Sequence, residues 1–358
     1  MNRAIFYILI IFVLTSCINT DPGNSDGIVV KDMLGRDVLI PKEVNRVVGL
    51  RAGALRLLLY CGAKDMIAGI EEIERRPGRP YMDAHSELKE LPVIGPSMGG
   101  DAELILNARP DVIFISYTTT ADANALQNKT AIPVIAIECP EFATGKEKLF
   151  FSLRLIGKVI NKTERVESLI SYITSSIQEL NNRTKNIHPD NKPRTYIGGV
   201  NYSGSHGINS TQPFYPPFIF TNSRNVASSI DDRLVSHVKG TFIDKEQLLK
   251  WDPDYLFIDQ SGMNIVKNDL FPGNALYNNL KAIQNDNVHM VSPYNNYAIN
   301  YEMVLVNSWY VASILYPEQF KDIDFPSKAE EIINTFLGIN NGFAPFASAF
   351  KKLDKSYF

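Results

Sequence analysis

The sequence predicts an α/β protein of two related lobes, each built on a parallel β-sheet. First, the phrase E-x-x-L-x-x-x-P-D-x-x-F-I occurs twice, from Glu103 to Ile115 and from Glu246 to Ile258. Each copy is typical of a short helix that ends at a proline, followed by an aspartate turn and a buried parallel strand. Second, β-branched runs alternate with helical patterns in both halves of the chain. Third, this alternation stops after Ile137, where two consecutive helical patterns continue to about Arg183.

The first 17 residues are typical of a secretion signal. Arg3 supplies a positive charge, and the apolar run from Ala4 to Leu14 is too short to remain as a membrane-spanning helix. Leu14-Thr15-Ser16-Cys17 resembles a bacterial lipobox, in which Cys17 is diacylated and becomes the mature N-terminus. An ordinary signal peptide or a membrane anchor is the alternative. Residues 18–30 are predicted to be a flexible tether, so we expect an extracytoplasmic body that is lipid-anchored to a membrane.

Composition is that of a globular protein long enough for two domains. Of the 358 residues, 45% are hydrophobic and 21% are charged, and the formal net charge is −3. There is no basic excess, so we expect no nucleic-acid partner. Cys61 and Cys139 stand in apolar settings and are predicted to be buried thiols. We expect a monomer.

The N-terminal lobe is predicted to span residues 31–160. A strand at Arg46 to Leu50 is followed by a helix over Ala52 to Tyr60, which stops at Gly62. The strand predicted at Met66–Ile70 follows this helix, so strand, helix and strand form a right-handed crossover unit. The further strands of this parallel sheet are predicted at Val93–Ile94, Val112–Ser116 and Val134–Ile137.

A long helix is predicted at 161–185, where Asn161 and Glu164 suit a capping box. The C-terminal lobe is predicted to span 190–338. The tail, 339–358, has too many aromatic residues for a disordered end, and we expect it to pack on a lobe or on a partner. The elements predicted in the second lobe are strands at Arg194–Val200 and Val288–Val291 and closing helices at Glu302–Leu315 and Pro326–Leu337.

The repeated phrase, with the D-x-x-G-R-x-V-x-I-P run that ends at Pro41, resembles the binding proteins of ABC importers for iron–siderophore complexes and cobalamin. The resemblance covers most of the mature chain. It implies two Rossmann-like lobes joined by a single long helix, here 161–185, with a ligand cleft between them and a modest hinge. It also implies that Glu103 and Glu246, one per lobe, face the transmembrane subunits of a permease, which is driven by a separate ATPase. The chain itself would not be an enzyme.

Binding residues of open α/β sheets lie in the loops beyond the carboxyl ends of the strands. In this chain those loops bring arginines from the first lobe and tyrosines with one histidine from the second. Guanidinium groups suit anionic oxygen ligands, and tyrosine rings cover apolar surface, so an iron(III)–siderophore chelate would fit. Cobalamin or haem is the alternative ligand. The candidate ligand-binding residues are Arg51, Arg75, Arg76, Arg79, Tyr81, Met98, Tyr117, Tyr202, His206, Tyr294 and Tyr297.

Two other chemistries have partial signals in the sequence. Residues 95–99 fit G-x-S-x-G, which would make Ser97 the nucleophile of a secreted α/β-hydrolase with His289 downstream, although Pro96 and the short preceding strand are a poor context for it. A free metal-ion site needs converging imidazoles or carboxylates, yet the histidines are scattered. His206 could still complete the coordination of an incompletely chelated iron. Neither a phosphate loop nor a dinucleotide fingerprint occurs, so we expect no resident metal and no cofactor apart from the lipid.

Overall fold

A computed structural model describes residues 27–96, 98–236 and 240–358. The signal segment with Cys17, most of the tether, and Ser97 lie outside the described residues. The strands are β1 (Gly27–Lys31), β2 (Asp37–Pro41), β3 (Val47–Leu50), β4 (Val112–Ile115), β5 (Val134–Ala136), β6 (Arg194–Gly198), β7 (Ser210–Thr211), β8 (Arg224–Asn225), β9 (Thr241–Phe242), β10 (Tyr255–Asp259), β11 (Val288–Val291) and β12 (Lys351–Leu353). The helices are α1 (Ala54–Tyr60), α2 (Pro80–Ala84), α3 (Ala102–Ala108), α4 (Thr120–Thr130), α5 (Phe142–Val159), α6 (Thr163–Thr184), α7 (Pro216–Phe220), α8 (Lys245–Trp251), α9 (Met263–Val266), α10 (Ala275–Asn279), α11 (Lys281–Gln284), α12 (Tyr301–Leu315) and α13 (Phe325–Leu337).

The sheet of the N-terminal lobe is parallel, with strand order β3-β4-β5 and every strand residue buried. The strands predicted at Met66–Ile70 and Val93–Ile94 are wrong. Each is reduced to isolated parallel bridges, Val47 with Ile67 and Ile70 with Val93. Residues 64–66 form a 3₁₀ turn, and Pro92 has no N–H with which to extend the ladder.

An antiparallel hairpin of β1 and β2 precedes this sheet. Its turn is organised by Asp32, whose Oδ1 accepts the N–H groups of Leu34 and Arg36 at 3.0 Å. The Arg36 guanidinium binds the other oxygen of Asp32 at 2.7 Å and donates to the carbonyl of Val134 at 2.6 Å. The aspartate, glycine and arginine of this run therefore fasten the hairpin to the edge of β5.

The sheet of the C-terminal lobe has the order β12-β11-β10-β6-β8. Its strands are parallel except for β12, which pairs antiparallel with β11 at one edge. This edge strand comes from the C-terminal tail. The rings of Phe343 and Phe350 in the tail pack with Phe325 of α13, with centroids 5.2 to 5.6 Å apart. The tail is thus part of the packed body of the second lobe.

The two copies of the repeated phrase fold alike. α3 leads to β4 and α8 leads to β10, and each helix ends at a left-handed residue, Arg109 with φ 50° and Asp252 with φ 39°. The aspartate of each copy caps the start of the neighbouring parallel strand. Asp111 accepts the N–H of Arg46 at 2.8 Å, and Asp254 accepts the N–H of Arg194 at 2.9 Å.

α6 runs from the first lobe to the second along its 22 residues. The predicted capping box at its start is wrong. Asn161 adopts φ 55° in the turn after α5, and no side chain caps α6. One apolar core holds buried residues of both lobes and of α6, including Leu57, Ile173, Phe218 and Trp309. Within the described ranges, no helix is both long and apolar enough to span a bilayer.

Candidate functional site

A cavity of about 770 Å³ lies between the two lobes. The loops that line it follow β3, the bridged residue Val93 and β4 in the first lobe and β6 and β11 in the second, so the carboxyl ends of the two sheets face each other across it. The lining residues are Arg51, Ala52, Met98, Tyr117, Asn201, Tyr202, Ser203, Gly204, Asn295, Asn296, Tyr297 and Ala298.

The structure brings together part of the set that the sequence predicted. Arg51, Met98, Tyr117, Tyr202 and Tyr297 line the cavity. The other predicted ligand-binding residues lie elsewhere: Arg75, Arg76, Arg79, Tyr81, His206 and Tyr294.

The three predicted arginines between residues 75 and 79 do not converge on the cavity. Arg75 is exposed, where it pairs with Glu72 at 3.2 Å, and Arg76 is exposed as well. Arg79 is buried: it donates to the carbonyl of Arg76 at 2.9 Å, and its guanidinium lies 5.1 Å from the centre of the Tyr297 ring. Arg79 thus supports the wall of the cavity from behind.

Three of the predicted aromatic residues already use their polar atoms in hydrogen bonds to other residues of the protein. Tyr81 is fully buried and donates to Glu74 at 2.5 Å. The Tyr294 hydroxyl donates to Gln212. The Nε2 atom of His206 lies 3.0 Å from the carbonyl oxygen of Tyr202, and its ring packs against Phe242. His206 is therefore a hydrogen-bonded loop histidine outside the cavity lining.

Among the residues that line the cavity, Arg51 carries the positively charged side chain. Its backbone has φ 67°, in the left-handed region that non-glycine residues seldom adopt. Its guanidinium donates to the carbonyl of Tyr117, and Nη2 lies 3.9 Å from Asp122. Its Nε has no hydrogen-bond partner in the part of the chain that the structure describes. This Nε is itself buried, so it is the charge of the guanidinium that Arg51 brings to the cavity wall.

Tyrosine rings form much of the remaining wall. The hydroxyl of Tyr117 donates to the carbonyl of Cys139 at 3.1 Å, and that of Tyr202 donates to Thr211 at 2.9 Å. Burial raises the pKa of Tyr117, Tyr202 and Tyr297, so all three are neutral phenols. Because these hydroxyls already donate hydrogen bonds to the protein, each tyrosine would contact a ligand through its ring.

Sequence reasoning missed the polar residues of the wall. Asn201, Asn295 and Asn296 stand in the loops that were expected to bind, but selecting charged and aromatic residues passed over them. Glu141 lies outside the cavity lining and contacts the other lobe. Its carboxylate lies 3.5 Å from Nε2 of Gln212 in the other lobe, and burial raises the pKa of Glu141 to about 7.

Glu103 and Glu246 lie outside the cleft lining. Each is the second residue of a seven-residue helix, α3 or α8, and each is exposed. An aspartate precedes each helix, and the side chain of Asp101 accepts the N–H of Glu103 at 2.9 Å. The two glutamates therefore occupy equivalent positions on the surfaces of the two lobes.

The alternative chemistries gain no geometric support. His289 is buried in β11, with Nδ1 3.3 Å from the hydroxyl of Tyr310, and burial lowers the pKa of His289 to about 4. Ser97 lies outside the described residues. Across those that are described, no three His, Cys, Asp or Glu side chains are grouped closely enough to hold a metal ion. Cys61 and Cys139 are free and buried, as their apolar settings predicted.

Comparisons with known proteins agree on one family. Residues 47–294 match the family described as periplasmic binding protein. The molybdate-binding protein MolA of Haemophilus influenzae is 22% identical over 331 residues, which cover 86% of this chain and 90% of MolA. Its molybdate-bound structure superposes with a TM-score of 0.64 at 21% identity, covering 87% and 98% of the two chains.

Other solved structures share the fold. A periplasmic solute-binding protein of Veillonella parvula has a TM-score of 0.68 at 21% identity, over 90% of this chain and 96% of that one. The petrobactin-binding protein YclQ of Bacillus subtilis has a TM-score of 0.56 at 19% identity, over 87% and 98%. These confirm the predicted two-lobed fold with a helical backbone. The chain belongs to the periplasmic binding protein family, whose members are extracytoplasmic solute receptors rather than enzymes, and it is a substrate-binding protein of an ABC importer.

Proposed function

We propose that this chain captures an iron(III)–siderophore-type chelate between its lobes and delivers it to the membrane permease. The observation that carries the proposal is the size of the cleft. Its volume of about 770 Å³ falls in the range of roughly 300–1,000 Å³ that holds ligands of several tens of atoms. A chelate of that size would contact both lobes at once.

The chemistry of the wall supports the same ligand class. Arg51 brings a guanidinium charge to the wall, which favours the anionic oxygens that siderophores carry around the metal. The rings of Tyr117, Tyr202 and Tyr297 offer flat apolar surface to the organic framework. Asparagine amides complete the wall with neutral donors and acceptors.

A bare oxyanion such as molybdate is the second candidate. It is favoured by the likeness to MolA, which binds molybdate, and by the positive charge of Arg51 in the cavity wall. An ion of a few atoms would occupy a small part of this cavity, so it would require the lobes to close further. Haem and cobalamin remain ligands to be compared, because a cavity of this volume would also admit a bulky ring system in part.

Isothermal titration calorimetry separates these candidates. The panel consists of ferric catecholate and hydroxamate siderophores, haem, cobalamin, molybdate and tungstate. Calorimetry is preferred to tryptophan fluorescence because Trp309 is buried in the core and Trp251 lies outside the cavity lining. We expect saturable one-to-one binding of a ferric siderophore, and binding of molybdate alone would replace the proposal by the second candidate.

A matched pair of variants tests the place of binding. Arg51→Met should weaken binding of the ferric chelate by about tenfold or more, since a charge-assisted hydrogen bond contributes roughly 1.5–3 kcal/mol. Arg76→Met removes an equal charge from an exposed arginine outside the lining, and its affinity should match that of the wild type. Equal losses in both variants would show a general charge effect and would argue against this cleft.

A further inference from the structure

Behind the cleft, one carboxylate contacts three of the segments that line it. Glu71 is fully buried and is absent from the cavity lining. Its Oε2 accepts the backbone N–H of Arg51 at 2.8 Å and the hydroxyl of Tyr297 at 3.0 Å. Its Oε1 accepts the backbone N–H of Gly99 at 2.8 Å. Tyr297 belongs to the second lobe and the other partners to the first, so this carboxylate joins the lobes at the cleft.

The loop at Gly99 needs such a partner. Gly95, Gly99 and Gly100 have φ values of 151°, 134° and 71°, and Met98 has 60°, so four of the described residues of this loop have positive φ. A Cβ placed on Gly95 would lie 2.6 Å from the Cα of Gly100, which shows how closely the ends of the loop approach each other. The tip presents Met98, 67% exposed, to the cavity. The bond from Gly99 to Glu71 fixes this tip.

The other two partners of Glu71 are strained in the same way. Arg51 has φ 67° and Tyr297 has φ 51°, a region that costs a non-glycine residue about 1 kcal/mol or more. Such conformations persist where the surrounding structure holds them. Glu71 accepts a hydrogen bond from each of these residues, so it is a common support for three strained segments of the cleft wall.

A gain in folding stability does not explain why a carboxylate is buried at Glu71. Burying a carboxylate costs several kcal/mol of hydration, and an apolar side chain of similar volume is often no less stable. In the described ranges, none of the hydrogen bonds or ion pairs of Glu71 comes from an arginine, lysine or histidine side chain. Its donors are two backbone N–H groups and a phenol, all of which belong to the cleft wall.

We propose that Glu71 is a positioning residue of the binding cleft, which holds Arg51, the Met98 loop and Tyr297 in ligand-binding geometry across the two lobes. The inference rests on the proposed function, in that this cleft is where the ligand binds. Glu71 would act on affinity without touching the ligand.

The decisive variant is Glu71→Gln, which keeps shape and removes one acceptor. The two backbone N–H groups bond to different oxygens of Glu71, so in the glutamine variant one of them would face an NH₂ group. We expect hydrogen–deuterium exchange at the amides of Arg51 and Gly99 to accelerate about tenfold or more and affinity for the ferric chelate to fall by a similar factor, with little change in the unfolding temperature. Glu72→Gln is the matched control: this neighbouring glutamate is exposed and pairs with Arg75, so exchange and affinity should stay as in the wild type.

Tyr297→Phe gives an independent measurement that leaves the carboxylate and its backbone bonds in place. It should weaken binding severalfold in the wild type but add less in the Glu71→Gln background, because Tyr297 and Glu71 belong to one hydrogen-bond network. Additive losses, or a folded Glu71→Gln protein with unchanged exchange and affinity, would overturn the proposal. If the wild type bound no chelate, the proposed function would fail, while the exchange measurement would still decide the role of Glu71.

Discussion

At the scale of single residues, Glu141 is a carboxyl whose protonated form the fold favours. It lies at the start of α5, and burial raises the pKa of this carboxyl from 4.5 to about 7. A pKa raised by folding means that the folded state favours the protonated form. The corresponding stability is fully present below about pH 4.5 and is lost as the pH rises through about 7.

Glu141→Gln should therefore stabilise the protein selectively at high pH. The glutamine mimics the neutral carboxyl, so we expect the unfolding temperature to rise at pH 8, equivalent to roughly 1–3 kcal/mol, and to change little at pH 4.5. Thermal unfolding followed by circular dichroism at both pH values measures the difference. Glu147→Gln, an exposed change on the same helix, should have no such pH dependence. A gain of equal size at both pH values would show that charge burial is not the cause.

The directions of side chains explain why the site could be predicted only in part. The rule that ligands bind beyond the carboxyl ends of strands selected loops that line the cavity, and with them Arg51, Tyr117 and Tyr297. It could not show that the loop after Ile70 turns back on itself, so that Arg79 is buried against Glu74. Membership of a loop follows from the sequence, whereas the direction of each side chain depends on contacts distant in the chain.

Lipid attachment at Cys17 is a second proposal at this scale. It is motivated by Leu14-Thr15-Ser16-Cys17 at the end of the apolar run. Cys17→Ala should abolish labelling by a palmitate analogue in cells and release the protein from the membrane fraction, while the purified body keeps its unfolding temperature. Cys61→Ala controls for the loss of a thiol, since Cys61 is buried, and should leave labelling intact. Wild-type protein that never takes up the label would exclude the anchor.

At the scale of elements, the repeated phrase is where sequence reasoning was most successful. Beyond the shared aspartate cap, an arginine at the start of the neighbouring strand binds the end of each helix. Arg46 donates to the carbonyl of Ala108 at 2.7 Å, and Arg194 donates to that of Trp251 at the same offset in the second copy. The pattern predicted helix, turn and strand because all three signals are local. The bridges at Ile67 and Ile70 were mistaken for strands because a short apolar run does not show whether a neighbour is long enough to form a ladder.

The equivalence of α3 and α8 bears on the permease, the membrane partner of an ABC-importer binding protein. We propose that Glu103 and Glu246 dock this partner. Their carboxylates are exposed on both lobes and take no part in the cleft lining. Charges at such a rim set the register and rate of association, so docking should weaken as salt concentration rises.

Reversing both charges should uncouple transport from binding. Glu103→Arg with Glu246→Arg should abolish uptake and ligand-stimulated ATP hydrolysis in proteoliposomes, while calorimetry shows unchanged affinity for the ligand in solution. Glu90→Arg with Glu318→Arg makes the same change in net charge at exposed positions, one in each lobe, and should transport normally. Uptake at the wild-type rate by the first variant would exclude the docking role, and lost affinity in solution would place these glutamates near the ligand.

At the scale of the whole molecule, the lobes are joined by more than the long helix. The shared apolar core runs through both, and the Trp309 indole of α12 donates to Ser176 of α6 at 2.9 Å. The fully buried Arg56 of α1 donates to the carbonyls of Asn296, Tyr297 and Ile299 at 2.8 to 3.0 Å. The segment of the second lobe that lines the cleft is thus bonded to the first. The sequence could predict a helical connection through its resemblance, but a buried arginine some 240 residues from its partners has no local signal.

These bonds should limit closure of the cleft. Separating the lobes would leave the Arg56 guanidinium without acceptors in a dry interior, which is costly, so we expect ligand binding to change inter-lobe distances by about 2 Å or less. Spin labels at Ala121→Cys on α4 and Lys250→Cys on α8 would report this distance by double electron–electron resonance, since both positions are exposed and the native Cys61 and Cys139 are buried. Arg56→Met should broaden the distance distribution and enlarge the change on binding. Arg154→Met, which breaks an exposed ion pair with Glu167 outside the lobe interface, should leave both as in the wild type. A ligand-induced change of more than about 5 Å in the wild type would show that the buried contacts of Arg56 exchange during binding, and that the lobes move as independent bodies.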